Sequence, residues 1–308
     1  MVLQTMLRIS LYGKLIIKLP LITNLLWTLP LAAKRWIVSL PKCKDMNRKI
    51  AIIGGGNLGT AIAEGLLKSK FSNAADITIT KRNTATLDSL RSQGVVVTDD
   101  NPAAVKTSNV VILAVKPFQV SEVLNGIKNE LRDQLLISVV TGVTIEEMKE
   151  IIEKQLVIFR AMPNTAIAIQ ESMTCLCSTN AAAADKEYVH ELFSKLGKVV
   201  SIDEKLMEAA TILGACGTAY AMRYIRANIQ GGIEIGFDAL TASLIAAQTV
   251  KGAAELLLQK GSHPEQEIDK VTTPKGCTIA GLNEMEHRGF SSSLIRGVVA
   301  SYRKIARD

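Results

Sequence analysis

Short apolar runs separated by amphipathic stretches fill the chain from Lys49 to Ile202, after which the pattern takes on the longer period of helices. Residues 49–53, 77–80, 95–97, 110–115, 135–140 and 156–159 predict strands. A run such as 110–115, with no polar alternation, suits a parallel strand covered on both faces. Between these runs the pattern predicts helices from Thr60, over 102–106, from about Gln119, and after Thr144, where Glu147 three residues on makes a capping box. Residues 160–165 read as a polar loop. Alternation over 173–177 predicts a strand with buried cysteines, and 197–202 a further strand. From about Glu204 long helices follow; one, over 242–258, carries so little charge that other helices or a second subunit are expected to cover it. Strands alternating with helices, then helices alone, place the chain in the α/β class. Three segments are expected: a leader over 1–45, a first domain over 46–203 and an all-helical C-terminal domain over 204–308.

Charge sharpens that division. The 308 residues carry 36 Lys and Arg against 29 Asp and Glu, a net +7. Within 1–45, seven cations face only Asp45, so the leader holds +6 of this and the remainder +1. A near-neutral body lacks the basic face that nucleic acid requires. The leader's most apolar stretch, 20–33, is broken by Pro20 and Pro30 and falls short of the roughly 20 apolar residues of a spanning helix, so no stable membrane span is expected. Three readings of the leader stay open: an upstream extension of a frame whose natural start is Met46, a targeting or membrane-associating segment, or an ordered arm. The five cysteines form no even or repeated set, which favours a reducing compartment, and a cytoplasmic location is expected. Cys175 and Cys177 are one residue apart with no second pair, and His190, His263 and His287 have no partners at ligand or triad spacing, so no metal site is expected.

Candidate chemistry begins directly after the first strand. Gly54-Gly55-Gly56-Asn57-Leu58-Gly59 follows an apolar run and opens a helix, the order in which G-x-G-x-x-G binds a dinucleotide. Gly54 permits the tight turn, Gly56 lets a pyrophosphate approach backbone, and Gly59 lets helix and strand pack closely; a turn serving packing alone is the alternative. The second strand ends in Lys81-Arg82-Asn83, where an NAD-selective site more often has a carboxylate. Arg82, with Lys81 and Asn83, is suited to hold a 2′-phosphate, favouring NADPH with NADH as the alternative cofactor; an exposed loop of solvated cations is the other reading. Ala114-Val115-Lys116-Pro117 ends the strongest strand, on the side where ligands sit. The loop containing Asn164 either contacts cofactor or substrate or simply turns the chain.

The densest polar phrase lies near the end, Val271-Thr272-Thr273-Pro274-Lys275-Gly276-Cys277-Thr278-Ile279-Ala280-Gly281-Leu282. Thr273 is expected to cap a helix with Pro274 in its first turn, and the backbone donors over 275–278 would receive a carboxylate. A cap with no ligand remains the alternative.

Together these motifs, with Arg160-Ala161-Met162-Pro163-Asn164-Thr165 and Ala247-Gln248-Thr249, strongly resemble pyrroline-5-carboxylate reductase across 46–308. The resemblance implies a Rossmann-type dinucleotide-binding domain followed by a helical dimerisation domain. It implies an oxidoreductase of proline, hence amino-acid, biosynthesis that reduces (S)-1-pyrroline-5-carboxylate to L-proline with NAD(P)H. It implies homodimers that in some members assemble into decamers. Carried over onto this chain, Gly54, Gly56, Asn57, Leu58, Gly59, Lys81, Arg82, Asn83, Ala114, Val115, Lys116, Pro117 and Asn164 would bind cofactor. Thr273, Lys275, Gly276, Cys277 and Thr278 would bind substrate, with the Thr278 hydroxyl nearest the ring nitrogen as the catalytic group. Three phrases depart from the family's pattern: the usual SGSGPA is Gly214-Ala215-Cys216-Gly217-Thr218-Ala219, the usual PGG is Pro274-Lys275-Gly276, and the proline after MPNT is Ala166.

Overall fold

A computed structural model describes residues 48–306; the leader expected over 1–45 lies outside the described residues. The strands β1 (Ile50–Ile53), β2 (Ile77–Thr80), β3 (Val96–Thr98), β4 (Val110–Leu113), β5 (Leu135–Ser138), β6 (Ile158–Met162), β7 (Ser172–Thr179) and β8 (Gly197–Ser201) form one sheet in the order 3-2-1-4-5-6-7-8. All neighbours run parallel except β6 and β7. β1, β4, β5 and β6 are buried at every position, as the apolar runs of β1 and β4 require and although β5 ends in Ser138 and β6 carries Arg160. The covering helices are α1 (Asn57–Lys68), α2 (Asp88–Ser92), α3 (Asn101–Lys106), α4 (Val120–Ile127), α5 (Ile145–Ile152) and α6 (Ala183–Ser194). One core joins Ile53, Leu113 and Leu136 of the sheet to Leu124, Ile127, Met148 and Ile152 of the helices. Each such side chain contributes about 1.5–3 kcal/mol by leaving water.

Boundaries move for identifiable reasons. α1 begins at Asn57, three residues before the expected start, because Gly56 takes the extended N-cap conformation. α5 begins as expected: the Thr144 hydroxyl accepts from the Glu147 N–H, and Glu147 accepts from the Thr144 N–H at 2.6 Å. β4 ends at Leu113, before the last two apolar residues of its run. β6 starts two residues late and then continues through Arg160 to Met162, where a loop was expected. Arg160 is 1% exposed, yet its Nη1 lies 3.0 Å from Glu204 and its Nη2 3.1 Å from Glu208, so its charge is matched inside the fold. Glu204 also accepts the Ile145 N–H at 2.8 Å, tying β6, α5 and the entry to the helical half into one network. Cys177 pairs with Arg160 in the β6–β7 register. Burial pushes its thiol up to about 11, with Glu204 adding to the rise, so it stays protonated and inert.

Past β8 the chain is helical: α7 (Met207–Ala210) runs through a π-helical stretch, Thr211–Cys216, into α8 (Gly217–Glu234). α9 (Ala239–Lys260), α10 (Pro264–Lys270), α11 (Cys277–His287) and α12 (Phe290–Ala306) follow. Asp238 starts α9 by accepting the Leu240 and Thr241 N–H groups, and its carboxyl is held below the ordinary range chiefly by the Thr241 hydroxyl, with the Thr241 and Leu240 N–H bonds adding to it. α9 packs on α8, but apart from Ala242 and Ala246 none of its residues is buried; Leu240 is 85% and Leu244 71% exposed. The cover its composition called for is therefore not supplied by the described residues of one copy. No helix of the described residues is long and apolar enough to cross a membrane.

Replacing Arg160 by Ala strands two carboxylates beside a buried strand and is expected to cost about 3 kcal/mol, with Arg160→Lys recovering part of it. Urea unfolding checks this; a loss under about 1 kcal/mol for Arg160→Ala would show that the network carries little of the stability.

Candidate functional site

The sheet order reverses between β1 and β4, which opens a crevice beyond their carboxyl ends. The glycine turn fills the floor of that crevice. Gly54 has φ +114°, and a Cβ there would sit 2.5 Å from the Ala114 carbonyl oxygen, so only glycine satisfies both the turn and the approach of β4. The Gly55 N–H donates to the Thr80 carbonyl at 2.7 Å, fastening the turn to β2. A Cβ on Gly59 would lie 2.0 Å from the Gly54 oxygen, whereas one on Gly56 would meet nothing within 4 Å. Two of the glycines thus serve packing, and Gly56 leaves open space at the start of α1. Asn57, Leu58 and Gly59 form the first turn of α1, whose N–H groups have no partner inside the helix and point to where an anion is stabilised. That open cradle fits a dinucleotide pyrophosphate.

The other expected cofactor residues lie on the rims. After β2 the Lys81 N–H donates to the Thr98 carbonyl at 3.0 Å, and Asn83 precedes a short 3-10 turn. Arg82 projects into solvent and meets Glu122 of α4 at 3.3 Å, a partner 40 residues away that sequence spacing did not single out. On the opposite rim the Ala114 N–H donates to the Ile53 carbonyl at 2.8 Å, so Ala114, Val115, Lys116 and Pro117 continue from β4 beside the glycine turn. Lys116 lies 6.0 Å from the ring of Phe118, itself 80% exposed and also not anticipated.

Asn164, beyond β6, is a brace. Its Nδ2 donates to the Gly214 carbonyl at 3.1 Å, its Oδ1 accepts the Ala166 N–H at 3.0 Å, and its own N–H donates to the Ser172 hydroxyl. It thereby holds the π-helical stretch against the end of the sheet. That stretch lines, through Thr211, Ile212 and Cys216, a wide-open groove of about 780 Å³ that Thr141, Ser301 and Lys304 also line.

At the substrate phrase the expected cap is not formed. α11 starts at Cys277 with Gly276 as its N-cap residue, and no side chain caps it. Thr273 instead opens a turn: the Gly276 N–H donates to its carbonyl at 2.9 Å, and a Cβ on Gly276 would lie 2.5 Å from its hydroxyl. Pro274 fits the second position of this turn, and Lys275 takes the third with φ +59°. A non-glycine residue in that conformation costs about 1–2 kcal/mol, and it stands where the family pattern has glycine. Thr278, at the second helical position, is half-buried, while Thr273, Lys275 and Cys277 lie open in a single copy. Among the described residues no group of three or more His, Cys, Asp or Glu is arranged to hold a metal ion.

Comparison with known proteins bears on both halves. Residues 204–307 match the family model described as pyrroline-5-carboxylate reductase dimerisation, and 49–142 match one described as NADP oxidoreductase, coenzyme F420-dependent. Pyrroline-5-carboxylate reductase 1 of Dictyostelium discoideum is 48% identical over 83% of this chain; the chain spans about half, 49%, of that relative's length. Pyrroline-5-carboxylate reductase 2 of the same organism is 42% identical, covering 85% of this chain and 93% of its own. Among solved structures, a Plasmodium falciparum pyrroline carboxylate reductase with NADP bound superposes with TM-score 0.77 at 28% identity, covering 85% of this chain and 98% of that one. A pyrroline-5-carboxylate reductase from Coxiella burnetii gives the same values.

The glycines separate packing from binding in a direct test. Gly56→Ala is expected to unfold at nearly the parent temperature while weakening dinucleotide affinity at least tenfold, since its methyl enters the open space. Gly59→Ala is expected to lower the melting temperature by several degrees before any ligand is added. Thermal melts with and without NADPH check both; equal melting of the two variants would refute the division.

Proposed function

The chain belongs to the pyrroline-5-carboxylate reductase family, and on that premise we propose that it reduces (S)-1-pyrroline-5-carboxylate to L-proline by hydride transfer from NADPH. The observation that carries the reading is the open cradle at Gly56, set at the switch point of the sheet in a chain whose helical half matches the family's dimerisation model. When bound, the reduced nicotinamide supplies the hydride that the electrophilic imine carbon accepts.

The residues of the chain have four tasks. Gly54, Gly56 and the first turn of α1, Asn57 to Gly59, receive the pyrophosphate, and Ala114 to Pro117 form the wall beside it, with Asn164 steadying the neighbouring loop. Arg82, supported by Lys81 and Asn83, takes the 2′-phosphate through charge-assisted bonds, the basis of a preference for NADPH over NADH. The turn 273–276 and the N–H groups opening α11 at Cys277 and Thr278 hold the substrate carboxylate, with the Lys275 ammonium as counter-charge. The Thr278 hydroxyl then orients the ring nitrogen and holds the proton there as the C=N bond becomes CH–NH. Aligning two rings and steadying one carboxylate supplies most of the needed acceleration, so no histidine acid is required.

The uncovered apolar face of α9 supports a homodimer, with a decamer of five dimers as the higher assembly. The unpaired cysteines Cys175, Cys177, Cys216 and Cys277 support a cytoplasmic location.

Purified protein is expected to oxidise NADPH in a pyrroline-5-carboxylate-dependent manner and to ignore 2-keto acids. Thr278→Ala should lower kcat about ten- to a hundredfold at saturating cofactor; unchanged kcat and KM would remove Thr278 from its role. Leu244→Arg should shift the sedimenting species from dimer toward monomer and reduce turnover with it, and a monomeric parent protein would overturn the assembly.

A further inference from the structure

The cation assigned to the cofactor's phosphate already has a partner. Arg82 lies two residues beyond the end of β2, and Glu122 lies in the first turn of α4, which follows β4. In the sheet, β1 and its glycine turn run between β2 and β4. With about 4.8 Å between neighbouring strands, the 3.3 Å ion pair joins the two flanks of the strand that carries the turn, across roughly 10 Å of crevice mouth. Both side chains are largely in solvent, at 82% and 71% exposure, so no packing locks them together. No carboxylate stands at the end of β2 itself, where Lys81, Arg82 and Asn83 follow Thr80. The acid brought to this place comes instead from the opposite rim.

We propose that Glu122 is a specificity-determining residue: by occupying the Arg82 guanidinium, it competes with the 2′-phosphate and restrains the preference for NADPH over NADH. The inference rests on the reading of Arg82 as the phosphate-binding cation. A phosphate that reaches Arg82 must displace the Glu122 carboxylate or sit beside it, and either course weakens binding. NADH presents a hydroxyl at that position and meets neither cost. The size of the effect is bounded by the chemistry of exposed ion pairs, which contribute at most about 1 kcal/mol, or about fivefold in affinity. Screening by salt must shrink it, because both charges face water.

The test titrates NADPH and NADH into the full chain and its E122Q, R82A and E122Q/R82A variants, following quenching of protein fluorescence at low and at elevated salt, with turnover measured alongside. E122Q is expected to tighten NADPH binding about two- to fivefold and to leave NADH binding unchanged, with the gain falling at high salt and vanishing in the R82A background. Equal gains for both cofactors, no gain, or a gain that survives R82A would overturn the inference. Weaker NADPH binding in E122Q would also overturn it, making Glu122 an orienting partner of Arg82 instead. If R82A itself weakens NADPH while E122Q changes nothing, the reading of Arg82 stands and only the role of Glu122 fails. If R82A leaves NADPH binding unchanged, both fail together.

Discussion

A guanidinium in the middle of a buried strand cannot stay there without carboxylates, and the position of Arg160 in β6 governs how the two halves of this chain meet. Its partners, Glu204 and Glu208, stand on the segment that leaves the sheet for the helices. An ion pair of this kind adds little net stability over an apolar replacement, because desolvation consumes most of its attraction. What it does provide is geometry, since a guanidinium fork donates to its carboxylates in few arrangements. Glu204 carries that geometry onward by accepting the first N–H of α5. Asn164, four residues beyond Arg160, adds a second tie through the Gly214 carbonyl. Near the second tie the backbone passes through a π-helical stretch, in which the Gly214 carbonyl accepts from both the Asn164 and the Thr218 side chains.

The same sheet fixes the cofactor crevice by a different constraint, the distance between backbones. β4 comes so close to the turn after β1 that the Ala114 oxygen would touch any side chain at Gly54, and α1 comes so close that the Gly54 oxygen would touch any at Gly59. Gly56 alone faces away from both. Room for a ligand at that one point follows from the tightness at the other two, and Thr80 holds the arrangement by taking the Gly55 N–H.

How far residues reveal their role depends on how local its cause is. The glycine turn, the capping box at Thr144 and the strands β1, β2, β4 and β5 are governed by neighbours within a few positions, so pattern alone finds them. Arg160 is not, because its charge reads as a loop until Glu204 and Glu208, more than forty residues later, are brought beside it. Glu122 is hidden in the same way, as an ordinary acid in the first turn of a helix. The Thr273-Pro274 pair misleads for another reason: a threonine before proline suits both a helix cap and the first corner of a turn, and only Lys275 in the left-handed region selects the turn. What covers α9 is illegible in the sequence, since its low charge calls for apolar neighbours without saying which, and the described residues of one copy do not provide them.

That last point links assembly to chemistry. Hydride transfer to an imine proceeds best where water is excluded, yet Thr273, Lys275 and Cys277 lie open in one copy. The apolar side chains of α9, among them Leu240 and Leu244, lie open as well. Both sets of exposed groups lie in the helical half, on α9 and on the turn that leads into α11. In the proposed dimer the hydrophobic drive to associate and the need for a dry reaction site would be met by one event. On the proposed function the Lys275 ammonium is the counter-charge to the substrate carboxylate, and such a pair is a weak one in water and a stronger one in a site that excludes it.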